Sequence, residues 1–222
     1  DVTLTTPGSV NLNDVVSSGS GDIDIDGASV AQAANITTTG GAGTVNVSAS
    51  STNITMSAGT TTSTNTGSIT YEAFVSVGLR LLTSTSGVIS VTADRNANNS
   101  GAITDVTTSS AANIVTSTST SLSAAQGIGN SGVGQDIVVD VATVTSATTQ
   151  TVGIYVDLID PNNSGVLVSF ADATTSGDII FTGTSGTGTR TFTSVDTNNG
   201  NVNISAAAGD IVLGTIISDS AV

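Results

Sequence analysis

Residues 18–29 read SGSGDIDIDGAS, a glycine-rich segment followed by a short alternating run. Aspartate and isoleucine alternate in that run: Asp22, Ile23, Asp24, Ile25 and Asp26. Successive side chains of a β-strand point to opposite faces, so the run predicts a strand with isoleucines in a core and aspartates in solvent. The same spacing also places three carboxylates on one face, which raises the question of a metal-binding or catalytic site.

The alternation recurs along the whole chain. Examples are TVNVS at 44–48, SITYE at 68–72, DIVVDV at 136–141, GIYVDL at 153–158 and NVNIS at 201–205. β-Branched residues dominate these runs, and asparagine, serine and glycine separate them, as in NNSG at 98–101 and 162–165. Strands favour the first group and turns the second, while no window has a sustained helical period. The sequence therefore predicts an all-β protein.

The alternating runs return at a regular interval. Their first apolar residues lie on average about 22 positions apart, within the range of solenoid repeats. We take as anchors Ile23, Val45, Ile69, Ile89, Ile114, Ile137, Val156, Ile179 and Val202. We predict one β-solenoid domain over residues 1–222, with about ten coils of roughly 22 residues stacked about 4.8 Å apart. Residues 1–20 are assigned as part of it or as an N-terminal extension or cap strand.

Two further expectations follow from this architecture. Phe170 and Phe192 stand one predicted coil apart, and we expect both to point inward and stack. The alternative fold is a β-sandwich, single or tandem, because short alternating strands with turn signals also describe that class. Few aromatic residues, only two prolines and the recurrence of similar strands favour the solenoid.

Several phrases resemble the repeat regions of large bacterial surface proteins. They are SGVISVTA, SLSAAQGIGNSGVGQ, SGDIIFTGTSG and GNVNISAAAGDIVLG. The resemblance is to the filamentous-haemagglutinin-like and β-strand-repeat exoproteins, whose G-[DN]-[IV]-x-[IVL] strands recur beside an L-x-A-x-x-x-I-G phrase, matched here at 122–129. It implies a right-handed parallel β-helix, export to the cell surface, and a role in adhesion or matrix. The chain is short for such a protein, so we expect a piece or a compact subunit.

The composition excludes several functional classes. The net charge is −14, with three Lys and Arg residues together against 17 acidic ones, so nucleic acid is not an expected partner. Histidine and cysteine are absent and all three basic residues are arginines. A Ser-His-Asp triad, a thiolate nucleophile, a structural zinc site and a P-loop lysine are therefore excluded. No apolar run is long enough for a membrane-spanning helix, and we expect no membrane insertion.

Carboxylate chemistry remains. Calcium takes oxygen ligands, and the turn-flanked aspartates provide them, so we assign five candidate calcium ligands. These are Asp22, Asp24, Asp26, Asp157 and Asp160. Polysaccharide-cleaving enzymes need two facing carboxyl groups, and the candidates are the aspartates of the 22–26 run and the pairs Asp136–Asp140 and Asp157–Asp160. Arg80, Arg95 and Arg190 are scattered singly, however, and solvated strand or turn residues explain every pair more simply.

These observations favour a structural or adhesive extracellular β-solenoid, a segment or subunit of a surface fibre, adhesin or sheath. We expect no enzymatic activity and no cofactor other than calcium. The alternatives are a polysaccharide-acting enzyme with an aspartate pair and a calcium-dependent binding module. We expect the ends of the rod to pair by strand addition, either as subunits joined into a filament or as a longer rod that continues. Surface carbohydrate is a candidate ligand.

Overall fold

The computed structural model describes residues 1–107, 109–132 and 134–219, which wind as a parallel β-solenoid. The solenoid has about nine turns of roughly 24 residues each. Every strand pairing assigned among these residues is parallel. The β-sandwich alternative is therefore wrong, because sandwiches are built from antiparallel strands.

The described residues contain 24 strands and no helix. The first twelve are β1 (Val2–Thr5), β2 (Ser9–Leu12), β3 (Val16–Ser18), β4 (Ile23–Gly27), β5 (Ser29–Gln32), β6 (Ile36–Thr38), β7 (Val45–Ala49), β8 (Ile54–Met56), β9 (Thr62–Thr64), β10 (Ile69–Ala73), β11 (Val77–Leu79) and β12 (Leu82–Ser84). The remaining twelve are β13 (Ile89–Thr92), β14 (Ala102–Asp105), β15 (Ile114–Ser123), β16 (Gly127–Ile128), β17 (Ile137–Thr149), β18 (Gly153–Ile159), β19 (Val166–Val168), β20 (Ala171–Ala173), β21 (Asp178–Gly183), β22 (Arg190–Asn198), β23 (Val202–Ala206) and β24 (Ile211–Asp219). No helix in this part of the chain is a candidate for crossing a membrane.

The strands stack into three ladders. The first ladder runs through β1, β4, β7, β10, β13, β15, β17, β19 with β20, β22 and β24. The second runs through β2, β5, β8, β11, β14, β16, β18, β21 and β23. The third runs through β3, β6, β9, β12, β15, β17 and β18. Within the described residues the third ladder ends at Ile159, so later coils have two strand faces instead of three.

The core is a single column of stacked apolar side chains. Ile23 and Ile25 are buried, while the three aspartates of the same run are exposed. In the next coil Val45 lies over Ile23 and Val47 over Ile25. The prediction of a half-buried strand is thus confirmed. A single coil would leave its apolar side chains uncovered, and the coils stacked on it bury them.

A polar triad crosses this apolar core and links the three faces. The Tyr71 hydroxyl donates to Gln32 Oε1 at 2.7 Å and lies 2.6 Å from Thr62 Oγ1. Gln32 Nε2 donates to the same threonine oxygen at 3.0 Å. All three side chains are buried, and burial raises the pKa of Tyr71. Mutual hydrogen bonding is what makes their burial tolerable, because an unpaired buried polar group is costly.

One corner of the prism has a recurring Ser/Thr–glycine contact. Thr64 Oγ1 and Ser84 Oγ donate to the Gly67 carbonyl at 2.6 and 2.9 Å, and Thr116 Oγ1 donates to the Gly87 carbonyl at 2.7 Å. Each hydroxyl is buried at the end of a third-ladder strand. The glycines lie so close to the coil below that a side chain has no room. The corner therefore needs glycine for close approach, and the hydroxyls satisfy its carbonyls.

The coil length varies more than the sequence predicts. Ile69 pairs with Ile89, but Ile89 pairs with Thr120 and not with the expected anchor Ile114. Ile114 instead continues the third ladder above Leu82. The segments that follow β13 and β14 lengthen this coil. The anchors up to Ile89 therefore lie on the first ladder, whereas the next one, Ile114, lies on the third.

The expected stacking of Phe170 on Phe192 is wrong. Val168 occupies the position below Phe192 in the ladder, and Phe170 lies at a corner with 40% of its surface exposed. Phe192 is buried and packs edge-to-face on Phe181 of the second ladder, with ring centroids 5.3 Å apart. The pair joins the second ladder to the first in the coils beyond Ile159, where no third-ladder strand is assigned.

Candidate functional site

The structure places Asp22, Asp24 and Asp26 on the outer surface. Asp22 Oδ1 accepts hydrogen bonds from the backbone N–H and the hydroxyl of Thr44, at 2.7 and 3.0 Å, and these bonds lower the pKa of Asp22. Asp24 accepts a bond from Asn46 Nδ2 at 2.8 Å. Donors from the next coil therefore occupy two of the three carboxylates, which clamps one coil to another.

Asp157 is buried and faces the following coil. Its carboxylate accepts hydrogen bonds from the Thr184 backbone N–H at 3.1 Å and from the Thr184 hydroxyl at 2.6 Å. Burial raises the pKa of Asp157 despite these bonds and the nearby Arg190 charge, both of which oppose the change. The solvated environment expected for this residue is wrong, because the coil above covers it.

Asp160 shapes the turn where the third ladder ends. Its carboxylate accepts the backbone N–H groups of Ser164 and Gly165, both at 2.9 Å. Asp94 accepts the N–H groups of Asn98 and Asn99 in the same manner, at 3.0 and 3.1 Å. Both NNSG segments are therefore turns capped by an aspartate that precedes them, and both aspartates are buried.

No group of three or more Asp, Glu, His or Cys residues among the described residues has the arrangement of a metal site. The five predicted ligands lie in two separate regions, and four of them have protein donors on their oxygens. Calcium binding therefore stays a prediction.

The aspartates associate across coils, in pairs that the sequence did not indicate. Asp136 lies near Asp157 and Asp140 near Asp160, and the pKa of Asp136 and of Asp140 is raised by burial and then by that neighbour. Stacking makes residues one coil apart closer than residues three or four positions apart on one strand. The neighbouring carboxylates are thus Asp136 with Asp157 and Asp140 with Asp160, and not the pairs Asp136–Asp140 and Asp157–Asp160 that the sequence suggested.

A third pair lies on the first ladder. Asp172 and Asp196 are direct partners in the parallel register, with both side chains on the outer face. The pKa of Asp172 is raised by burial and by Asp196, while the Thr174 hydroxyl opposes the change. Like charges on directly adjacent strands repel.

The arginines are separated, as the sequence indicates, but their environments differ. Arg95 Nε lies 3.7 Å from Glu72 Oε2, with both side chains about half exposed. Arg190 is buried and donates to the carbonyl oxygens of Gly188 and Ala208, at 3.1 and 3.0 Å, and to that of Ser185. It therefore links the turns of the last coils and does not face solvent.

Two concave surfaces flank the turn that Asp160 caps. The first, about 690 Å³, is lined by Ala142, Asn163, Ser164, Gly165, Val166, Leu167, Thr187, Gly188, Thr189 and Thr191. The second, about 500 Å³, is lined by Thr64, Thr83, Ser84, Thr85, Val115, Thr116, Ser117, Asp140 and Asn162. The turn stands between them because it replaces the third-ladder strand at this point. The first lining combines hydroxyl and amide groups with small and apolar residues, whereas the second is mostly hydroxyl groups together with Asp140 and Asn162.

Sequence reasoning missed these grooves and the capped turns. The signal for the turns was present, since an aspartate precedes each NNSG segment within a few residues. The grooves had no local signal, because residues from three coils line the first and residues from five coils line the second.

Comparison with known proteins finds no matching family model, and no curated protein or solved structure matches significantly. The fold itself defines the class: this chain is a parallel β-solenoid protein.

Proposed function

We propose that this chain is a structural and adhesive element of a cell surface, a segment or subunit of an extracellular fibre, adhesin or sheath. The observation that carries the proposal is the first parallel ladder, which continues from Val2 to Asp219 beside a single apolar core. Backbone pairing between all coils resists bending and local opening, which suits a stalk. The resemblance of its strand phrases to bacterial surface exoproteins supports the same role.

The surface of the rod fits this role. Three arginines and 17 acidic residues give a net charge of −14, and the remaining outer positions are mostly threonine, serine and asparagine. Such a surface stays hydrated and resists non-specific association. The function then depends on length, stiffness and hydration.

The rod carries an edge suited to strand addition. Among the described residues β24 pairs on one side only, with β22, and the inward-facing Ile211 and Leu213 are 37% and 54% exposed. A further coil laid on this edge would bury both side chains and pair the free backbone groups. We propose that either a continuing chain or a second copy supplies that coil.

Two experiments test the proposal. Electron microscopy of the purified chain is expected to show rods about 43 Å long, from nine turns at the strand spacing, or filaments built from multiples of that length. Antibody labelling of intact producing cells, with and without external protease, is expected to place the protein at the surface. Labelling only after cell lysis would refute the surface role.

A polysaccharide-cleaving enzyme is the second candidate, and one observation favours it. Asp140 lines a groove, has a raised pKa and lies near a second carboxylate, that of Asp160. Against it, Asp160 is already occupied by the N–H groups of its own turn. Release of reducing ends from polysaccharide by the wild-type chain, lost in Asp140→Asn, would establish the enzyme and displace the structural proposal.

A further inference from the structure

The larger groove beside the capped turn has rigid walls. Asn163 Oδ1 accepts the backbone N–H and the hydroxyl of Thr187, at 2.6 and 3.0 Å, which ties the turn to the next coil. The bonds from Ser164 and Gly165 to Asp160 hold the other side of the turn. The groove is therefore formed in advance, so a ligand would not have to order it.

The lining of this groove offers unused hydrogen-bonding groups. The side-chain hydroxyls of Thr189 and Thr191 make no hydrogen bond within the described part of the chain, and Thr189 is exposed. The amide of Asn162, on the other side of the turn, is likewise exposed and makes no hydrogen bond to the described residues. These groups both donate and accept, which matches the hydroxyl groups of a sugar.

One exposed apolar side chain lines the groove, and a second, outside the lining, follows it in the sequence. Leu167 lines the groove with 36% of its surface exposed, and Phe170 follows three residues later in the same coil, 40% exposed. Phe170 is the one aromatic side chain of the six in the sequence that is largely exposed. A sugar ring has an apolar face of C–H groups and a polar rim, so Leu167 beside the threonine hydroxyls suits both parts. Phe170, at the corner after β19, offers an apolar face outside the groove lining.

Electrostatics selects among polysaccharides. The sequence has no lysine or histidine, Arg190 is buried, Arg95 is paired with Glu72, and Arg80 is not among the residues that line either groove. The flanking groove contains Asp140. Neither groove lining contains a cationic side chain among the described residues, so an anionic chain would meet the Asp140 carboxylate without a counter-charge beside it.

We propose that the groove beside the 160–165 turn binds a segment of an uncharged polysaccharide. One sugar ring lies against Leu167, where Thr189 and Thr191 hydrogen-bond its hydroxyls, and a neighbouring ring of the same polysaccharide lies against Phe170 at the corner. This deepens the proposed adhesive function by assigning its ligand class and place. It also explains why the chain leaves a phenyl ring in solvent when its other aromatic side chains are buried or half-buried.

Affinity electrophoresis through gels containing dextran, hydroxyethyl cellulose or xyloglucan, with alginate as the anionic probe, tests this. The wild-type chain is expected to be retarded by at least one uncharged polymer and not by alginate. Phe170→Ala, which removes the stacking surface, and Thr189→Glu, which places a charged side chain in the groove, are each expected to weaken retardation about tenfold.

Matched controls separate the groove from general surface effects. Val88→Ala removes an exposed apolar side chain and Thr55→Glu adds the same charge at another exposed strand position, and both are expected to bind as wild type. The inference is overturned if none of the three uncharged polymers retards the chain, if alginate does so more strongly, or if the groove variants equal their controls. Surface labelling of cells does not depend on these gels. If the chain is labelled at the surface but no uncharged polymer retards it, the proposed groove ligand is refuted and the surface role is not.

Discussion

Replacing Gly67 by alanine should strain one corner of the prism. Gly67 has an ordinary backbone conformation, so the only obstacle to a side chain is space. An alanine Cβ would lie 2.5 Å from the carbonyl carbon of Gly43 in the coil below, and closer still to its oxygen. Comfortable contact between carbon atoms needs about 3.5 Å, so the two coils must part locally by about 1 Å.

The cost follows from two contributions. Forcing one methyl group into a packed interior costs about 1–3 kcal/mol. Parting the coils also weakens the two bonds from Thr64 and Ser84 to the Gly67 carbonyl, each worth about 1 kcal/mol. The total is about 3–5 kcal/mol. With an unfolding entropy of about 2.1 cal/mol/K per residue over 222 residues, the melting temperature should fall by about 6–11 °C.

Gly19→Ala is the matched control, since it adds the same methyl group where nothing lies within 4 Å. It should melt at the wild-type temperature or slightly above, because alanine reduces the freedom of the unfolded chain. Thermal unfolding followed by circular dichroism compares the two, and hydrogen exchange should place the loosened amides in β7 to β12. A Gly67→Ala melting temperature within 1 °C of the control would refute the steric argument.

Three further outcomes are expected. Tyr71→Phe removes the hydroxyl that donates to Gln32 Oε1 in the core, so the free energy of unfolding should fall by about 1–3 kcal/mol. Urea titration measures this change, and an unchanged midpoint would mean that the Tyr71 hydroxyl does not contribute to stability. Asp196→Asn should stabilise the chain at pH 7 by a few tenths of a kcal/mol after solvent screening. The folded-state pKa of Asp172 lies above its unfolded value, so Asp172 becomes neutral, and its repulsion with Asp196 disappears, as pH drops through the folded value. The stabilisation by Asp196→Asn should therefore vanish near pH 3. A stabilisation that grows in acid would contradict this argument. Calcium at either predicted aspartate site should stabilise the folded chain by RT ln(1 + [Ca²⁺]/Kd) and so raise its melting temperature, and EGTA should reverse this rise. Equal melting temperatures with and without EGTA would show that calcium does not bind the folded chain.

The candidate site was less accessible from the sequence than the fold. The sequence correctly indicates that aspartates at the 22–26 run face outward, because the face of a strand residue depends only on its parity. It does not indicate that Asp157, Asp160 and Arg190 are buried. Charged residues near glycine-rich turns are usually solvated, and only the coil stacked above decides otherwise.

The sequence by itself determined the strand class and the solenoid repeat. Period-two alternation identifies the inward residues, and turn-forming segments at solenoid spacing require one coil to cover the next. Only the tertiary structure decided which strands meet. Ile89 pairs with Thr120 because long segments enlarge its coil, and Val168 takes the place predicted for Phe170. The physical reason is that alternation is a local property of one strand, whereas register, burial of charge and the shape of a groove depend on the length of every loop between strands.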